Sequence, residues 1–186
     1  MRIPYTSNPP PTNNETEAAI LDRVQARRGP NGLIPLDLAL LHSFPVADGW
    51  NSFIGAIRTR TSISDANREL AICRVAVINE AWFEWKHHAP LLKEAGFSDD
   101  ALKSLERQDC TNVSDTELSS ILTREQVAIV KYADAMTKSV KVPDDVFAEL
   151  KECFNEQSIV EITATIAAYN CVSRFLVALD VGEMNK

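Results

Sequence analysis

Three titratable residues near the middle of the chain, Glu69, Glu84 and His88, are of the types that could do proton-transfer chemistry. Glu84 and His88 are four positions apart, so on a helix both project from one face, where a carboxylate can hydrogen-bond the imidazole and fix its tautomer. Glu69 lies in a strongly apolar stretch beside Leu70 and Ile72. An imidazole with two carboxyl groups nearby predicts general acid–base catalysis near neutral pH.

Each of these residues also has a purely structural interpretation. A Glu–His pair four residues apart on a surface helix stabilises that helix by only a few tenths of a kcal/mol, and such pairs are common. A carboxylate at position 69, among apolar neighbours, must be paired, neutral or catalytic. Its structural alternative is an ion pair with one of three arginines, Arg68, Arg74 or Arg174.

The elements that must position these residues form a predicted helical hairpin. Ser64 and Asp65 can begin a helix through ANRELAICRVAVI, which is apolar on nearly every side after Arg68 and is therefore typical of a helix buried all round. Asn79 is predicted to end this helix and to cap a second one, AWFEWKHHAPLLKEAG, which closes at Gly96. Antiparallel packing of the two helices brings Glu69 towards Glu84 and His88.

The remainder of the chain also predicts helices. No segment shows sustained period-two alternation or a dinucleotide glycine motif, which predicts an all-α fold of roughly eight helices. Residues 1–14, with their Pro-Pro-Pro run, are predicted as a flexible arm, and residues 15–186 as one helical domain. The polar stretch 108–120 is predicted as a loop, and a capping box from Ser158 to Glu161 is predicted to open the last long helix.

Composition and charge narrow the function classes. The 186 residues are 45% hydrophobic and 24% charged, and a formal net charge of −7 disfavours nucleic acid or anionic lipid as the partner. The four cysteines show neither C-x-x-C spacing nor a His/Cys cluster, so no metal site or dithiol is expected. The tract ITATIAAYNCVSRFLVALDV is interrupted by polar residues and is predicted to be too polar for a membrane span. Because the N-terminus lacks an apolar signal-like stretch, a cytoplasmic location is expected.

The strings REL, AICRVAVI and WFEWKHHAPLLKEAGFS together resemble the carboxymuconolactone decarboxylase family, which also contains the alkylhydroperoxidase D-like proteins. The resemblance is close over the hairpin and extends more loosely over about two thirds of the chain. It implies an all-α alkylhydroperoxidase D-like bundle that forms a homo-oligomer, a trimer or a hexamer, around this hairpin.

The sequence departs from the peroxidase branch of that family at two positions. In that branch a C-x-x-C pair opens the second helix, whereas Ala81 and Glu84 occupy those positions here. Without a peroxidatic thiolate and its resolving partner, thiol peroxidase chemistry is not expected. The decarboxylase branch also lacks the cysteine pair and is similar in keeping a Glu and a His at the positions of Glu84 and His88.

The resemblance therefore implies a lyase that decarboxylates a small carboxylated lactone or aromatic-derived acid without a cofactor. In this hypothesis His88 is the general acid, Glu84 orients it, and Glu69 is a second proton carrier. One arginine should bind the substrate anion, and the pocket has two further candidate residues; these substrate-binding candidates are Arg68, Arg74, Arg174, Trp85 and His42. Trp85 and His42 also fit a packing role.

Two alternatives remain open at the level of sequence. One is an oxidoreductase of the same superfamily without a dithiol, acting through a lone cysteine such as Cys73 or Cys171. The other is a non-catalytic oligomer that binds a small ligand, in which Glu84 and His88 only support their helix.

Overall fold

The computed structural model describes residues 1–106 and 115–184. Over these residues the chain is helical and has no strand, which confirms the predicted all-α fold. Ten α-helices, rather than about eight, are present in the described part: α1 (Glu15–Arg28), α2 (Pro35–Leu40), α3 (Phe44–Thr59), α4 (Asp65–Ile78), α5 (Trp82–Glu94), α6 (Asp99–Leu105), α7 (Asp115–Ile121), α8 (Arg124–Ser139), α9 (Asp144–Cys153) and α10 (Glu156–Leu179). The described part also contains two short 3-10 helices, Gly29–Asn31 and Val181–Glu183.

The first of two compact units comprises Met1–Thr61 with Leu176–Met184. Its α1 packs against α3, and α1 buries Ile20 and Val24. The first 14 residues, predicted as a flexible arm, make hydrogen bonds in this unit. Arg2 N–H donates to the Leu179 carbonyl oxygen at 2.8 Å, and Gly182 N–H donates to the Tyr5 hydroxyl at 2.8 Å.

The second unit, Ser62–Phe175, is organised around α4, which packs against α5 and α8. The α4 residues Leu70–Val77 are all buried, which confirms the prediction of a helix buried on every side. A stretch of this kind has no polar face for water, so α4 is stable only when neighbouring helices cover it. It therefore provides the buried centre that carries Glu69 and against which α5, with Glu84 and His88, packs.

The corner between α4 and α5 differs from its prediction. Asn79 follows the last residue of α4, but Ala81 is the residue that precedes α5, and it makes no side-chain cap. Glu80 between them takes the left-handed conformation, with φ of 53°. Because this step adds two residues before α5 begins, the Asn79 side chain is not at the capping position, and it donates to Asn170 at 3.2 Å instead.

Two other predicted boundaries were wrong. Residues 115–121 form α7 inside the predicted loop 108–120, because Leu118 and Leu122, four residues apart, are buried on one face of an otherwise polar segment. Helix α10 begins at Glu156, before Ser158, because the side chain of Asn155 accepts the Ser158 N–H at 2.9 Å and serves as the cap. The rest of the predicted loop, with Cys110, lies outside the described residues.

Helix α10 is long and apolar enough to cross a membrane when length and hydropathy alone are considered, with a mean hydropathy of 1.4 in its best window. By that measure the prediction that this tract is too polar was wrong, because the apolar residues around Asn170, Ser173 and Arg174 outweigh them in the average. Its buried residues include Ile162, Ile166, Tyr169 and Ser173. A buried face of this kind is also what the core helix of a helical bundle presents.

A fully buried ion pair joins α4 to α8. The guanidinium of Arg74 donates to both carboxylate oxygens of Asp134, at 2.5 and 2.9 Å, and to the Leu105 carbonyl oxygen at 3.1 Å. Lys138 also donates to Asp134 at 3.0 Å. Arg74 thus lies in a structural ion pair whose acid is Asp134.

Asp134→Ala is expected to lower the free energy of unfolding by about 3–5 kcal/mol, because it leaves the Arg74 charge buried without its carboxylate. Urea denaturation followed by circular dichroism measures this value. Asp144→Ala, at an exposed position, is the control and should change it by less than about 0.5 kcal/mol. A loss below about 1 kcal/mol for Asp134→Ala would show that the pair contributes little.

Candidate active site

Glu69 and His88 meet in the interior of the second unit. Glu69 on α4 is 3% exposed and His88 on α5 is 6% exposed, and Glu69 Oε2 lies 2.6 Å from His88 Nδ1. The imidazole Nδ1–H donates to this carboxylate. Residues separated by 19 positions are thus brought together by the predicted hairpin, and the buried carboxylate has the partner that it requires.

Tyr169 on α10 lies against the other side of the imidazole. Its hydroxyl is 3.3 Å from His88 Nε2, and the two rings pack edge to face with centroids 5.1 Å apart. Tyr169 is not among the residues predicted from the sequence, although the spacing of Tyr169 from the buried Ile162 and Ile166 on α10 could have indicated a core-facing position. Both ring nitrogens of His88 therefore have a polar neighbour.

The role predicted for Glu84, orienting His88, requires a correction. Glu69 occupies Nδ1 of the imidazole, and the carboxyl group of Glu84 contacts Ser173 Oγ at 3.0 and 3.2 Å. Glu84 and His88 do lie on the same helix, as predicted. Glu84 contacts Ser173 of α10, whereas His88 contacts Glu69 of α4 and Tyr169 of α10.

The surroundings of Glu84 favour its protonated form. Ser173 Oγ lies within hydrogen-bond distance of both Glu84 carboxyl oxygens, at 3.0 and 3.2 Å, and of the Tyr169 carbonyl oxygen, at 2.8 Å, so its single hydroxyl proton is shared among these acceptors. Burial raises the pKa of Glu84 well above its usual range, outweighing the opposite effect of the bond donated by Ser173.

Cys73 is buried close to both acids. Burial raises the pKa of its thiol well above the usual value, and the negative charges of Glu69 and Glu84 raise this pKa further. The nucleophilic species of a cysteine is the thiolate. Cys73 is therefore held as an unreactive thiol, although it lies one helical turn from Glu69.

Alkylation rates test the state of Cys73. Each unit by which its pKa is raised lowers the thiolate fraction about tenfold, so iodoacetamide at neutral pH should modify the exposed Cys171 at least about tenfold faster. Peptide mass spectrometry of the folded protein measures both rates. In denaturant the two cysteines should react alike, and equal rates in the folded protein would contradict the structure.

The three predicted substrate-binding arginines have different surroundings. Arg74 is paired with Asp134, so it has a structural role and not the predicted substrate-binding role. Arg174 is exposed and donates to the Asn170 carbonyl oxygen at 3.0 Å. Arg68 is the neighbour of the Glu69–His88 pair, with its Nε 3.7 Å from Glu69 Oε1.

The other predicted substrate-binding residues are less closely tied to this pair. Trp85 is half-buried on α5. His42 is exposed in the first unit, where its Nε2 lies 2.7 Å from the Pro4 carbonyl oxygen. The apolar run around His42 suggested a buried position, but α2 ends at Leu40, before the run does. Neighbouring His87 is exposed, with Nδ1 2.7 Å from the Phe83 carbonyl oxygen.

Away from these residues, α7, α8 and α9 line an open pocket of about 420 Å³. Its charged lining is already engaged, since Lys131 donates to Glu149 at 3.0 Å and Arg124 to Glu152. None of the predicted site residues lines this pocket. Across residues 1–106 and 115–184, no three His, Cys, Asp or Glu side chains are grouped so as to hold a metal ion.

The fold is similar to that of the alkylhydroperoxidase AhpD core. The chain superposes with a TM-score of 0.74 on the AhpD-core, peroxidase-related protein of Ralstonia eutropha JMP134, at 16% identity over 99% of this chain and 94% of that one. A peroxidase-related protein of Silicibacter sp. TM1040 gives 0.73 at 14% identity, covering 94% and 91%. A cysteine-to-alanine variant of the debrominase Bmp8, in complex with 2,3,4-tribromopyrrole, gives 0.70 at 16% identity, covering 90% and 87%.

Residues 45–121 match the model of the carboxymuconolactone decarboxylase family, and this confirms the resemblance noted in the sequence. No curated protein matches the chain significantly. Glu69, Glu84 and His88 lie inside the matched segment, whereas Tyr169 and Ser173 lie beyond it. The matched segment thus contains the hairpin, and the covering helix α10 completes the polar cluster.

Proposed function

We propose that this protein is a cofactor-free decarboxylase of a small carboxylated lactone or aromatic-derived acid. The observation that carries the proposal is the buried Glu69–His88 hydrogen bond of 2.6 Å, which lies in the same cluster as the buried carboxyl group of Glu84. The two are linked through α10, since Tyr169 contacts His88 and its carbonyl oxygen contacts Ser173. A buried cluster that can hold and deliver protons suits general acid catalysis.

Apart from the loss of carbon dioxide, the proposed reaction requires only the transfer of one proton. The bond between the substrate and its carboxylate breaks, carbon dioxide leaves, and the electron pair is delocalised into the lactone carbonyl as a dienolate. His88 delivers a proton to carbon, and Glu69 orients the imidazole and stabilises its protonated form. Glu84 is a second proton store in the same cluster, and solvent restores the proton after product leaves.

The state of Cys73 and the missing dithiol argue against a thiol mechanism in this cluster. Ala81 and Glu84 stand where the peroxidase branch has its dithiol, and Cys73 is held protonated. Peroxide consumption that persists after every cysteine is replaced would exclude a thiol mechanism altogether.

Carbon dioxide release tests the proposal directly. Unsaturated γ-lactones with a ¹³C-labelled carboxylate are incubated with the protein, and NMR follows labelled bicarbonate and the protonated product. Release that requires the folded protein supports the proposal. A ligand that shifts the His88 signals but loses no label would instead indicate a binding oligomer, and no release from any lactone or aromatic-derived acid would contradict the enzyme.

The proposal includes a homo-oligomer, a trimer or hexamer, located in the cytoplasm, whose partner is a small molecule rather than nucleic acid or a membrane. The formal net charge of −7 disfavours nucleic acid and anionic lipid as partners. Light scattering of the purified protein measures the subunit number. A monomer at micromolar concentration would contradict this part of the proposal.

A further inference from the structure

One buried donor next to the Glu69–His88 pair is unsatisfied. The Nε–H of Arg68 has no hydrogen-bond acceptor within the described part of the chain. The nearest acid, Glu69, lies 3.7 Å away, beyond hydrogen-bond distance. Buried donors in folded proteins nearly always have an acceptor, so this one calls for an acceptor that is not part of the chain.

The other end of the same side chain lies at the protein surface. Arg68 donates through an NH2 group to Asp65 at 2.6 Å, and the Asp65 side chain is 80% exposed, whereas that of Arg68 is 11% exposed. A single solvent-exposed ion pair contributes little to stability, so another carboxylate can replace Asp65 easily. Arg68 therefore extends from the solvent edge of α4 to the buried acid.

Neither of the other two candidate arginines has this combination. Arg74 is fully buried and binds both oxygens of Asp134, so releasing it would leave a buried charge unpaired. Arg174 is exposed and bonded to Asn170 on its own helix. Of the three candidate arginines, Arg68 is the one that has a buried, unsatisfied donor together with a partner that can be replaced.

We propose that Arg68 is the residue that binds the carboxylate of an organic-acid ligand at this site. The inference rests on the proposed function for the identity of the reaction, but not for the binding. Arg68 and His88 flank the two oxygens of Glu69, so an anion on Arg68 lies one carboxylate width from the proton-transfer pair. The planar guanidinium can offer Nε and one NH2 group to both oxygens of the ligand once Asp65 is displaced.

Binding measurements with four probes test this role without requiring turnover. Acetate, benzoate and γ-carboxy-γ-butyrolactone carry the carboxylate, and γ-valerolactone is the neutral control. The side-chain ¹⁵N signals of His88, assigned with His88→Gln, report binding in the wild-type protein. Arg68→Gln should weaken binding of the carboxylates about 10- to 100-fold and leave γ-valerolactone unchanged.

Two matched variants separate recognition from a structural effect. Asp65→Asn removes the competing carboxylate and should strengthen anion binding about two- to fivefold, which a merely structural role for Arg68 does not predict. Arg174→Gln should have no effect. Circular dichroism confirms that each variant is folded.

Three results would overturn the inference: carboxylates that leave the His88 signals of the wild-type protein unchanged, equal affinity in Arg68→Gln, or loss of affinity in Arg174→Gln. Arg68-dependent binding without carbon dioxide release would sustain the role of Arg68 and overturn the proposed decarboxylation. Release that is indifferent to Arg68→Gln would do the reverse.

Discussion

His88→Ala is expected to lower kcat for carbon dioxide release by about 100- to 10,000-fold, the usual contribution of a positioned general acid. In the proposed reaction the imidazole is the group that hands the proton to carbon. Its Nδ1 is held by Glu69, so the ring is already oriented when substrate binds. Initial-rate measurements with a saturating lactone acid give kcat, and far-ultraviolet circular dichroism shows whether helix content is retained.

The neighbouring histidine provides a matched control. His87 is exposed on the same helix, and His87→Ala should leave turnover within about twofold of the wild-type value, since this side chain lies outside the cluster. Because His88→Ala leaves Glu69 buried without its partner, His88→Gln is a useful second variant that keeps an amide donor for the carboxylate. Wild-type rates in both His88 variants would remove the imidazole from the mechanism.

Glu84→Gln is expected to change how stability depends on pH. Burial raises the pKa of Glu84 in the folded protein, so between the ordinary pKa of a glutamate and this raised pKa the folded chain holds one proton that the unfolded chain has released. The stability that this group contributes is present in full below that window and is lost as the pH rises through it. The slope from one proton is about 1.4 kcal/mol per pH unit.

The experiment compares urea unfolding of the wild-type protein and Glu84→Gln at a series of pH values from about 5 to about 8, all above the ordinary pKa of a glutamate. The glutamine is neutral at every pH, so the variant should lack the extra loss and should gain about 1.4 kcal/mol over the wild type for each pH unit within the window. Glu94→Gln, an exposed residue on the same helix, should keep the wild-type slope. Parallel pH profiles for the wild type and Glu84→Gln would show that Glu84 is ionised in the folded protein.

The hairpin and its acids could be predicted because local periodicity encodes them. The apolar stretch after Arg68 is typical of a buried helix. Glu84 and His88 share a face because of the helical repeat. A carboxylate at position 69 needs a partner for the same reason that Leu70 beside it needs burial. Where capping depended on a change in backbone path, as at Asn79, the prediction failed.

The amino-acid sequence alone thus determined the all-α fold, the buried helix α4 and the approach of Glu69 to His88. The tertiary structure decided which group holds each atom: Tyr169 and Ser173 reach His88 and Glu84 from 81 and 89 positions away, and Asp134 reaches Arg74 from 60. The physical reason is that helical spacing specifies which side chains share a face, whereas the partner across an interface depends on how α8 and α10 pack, to which every core residue contributes.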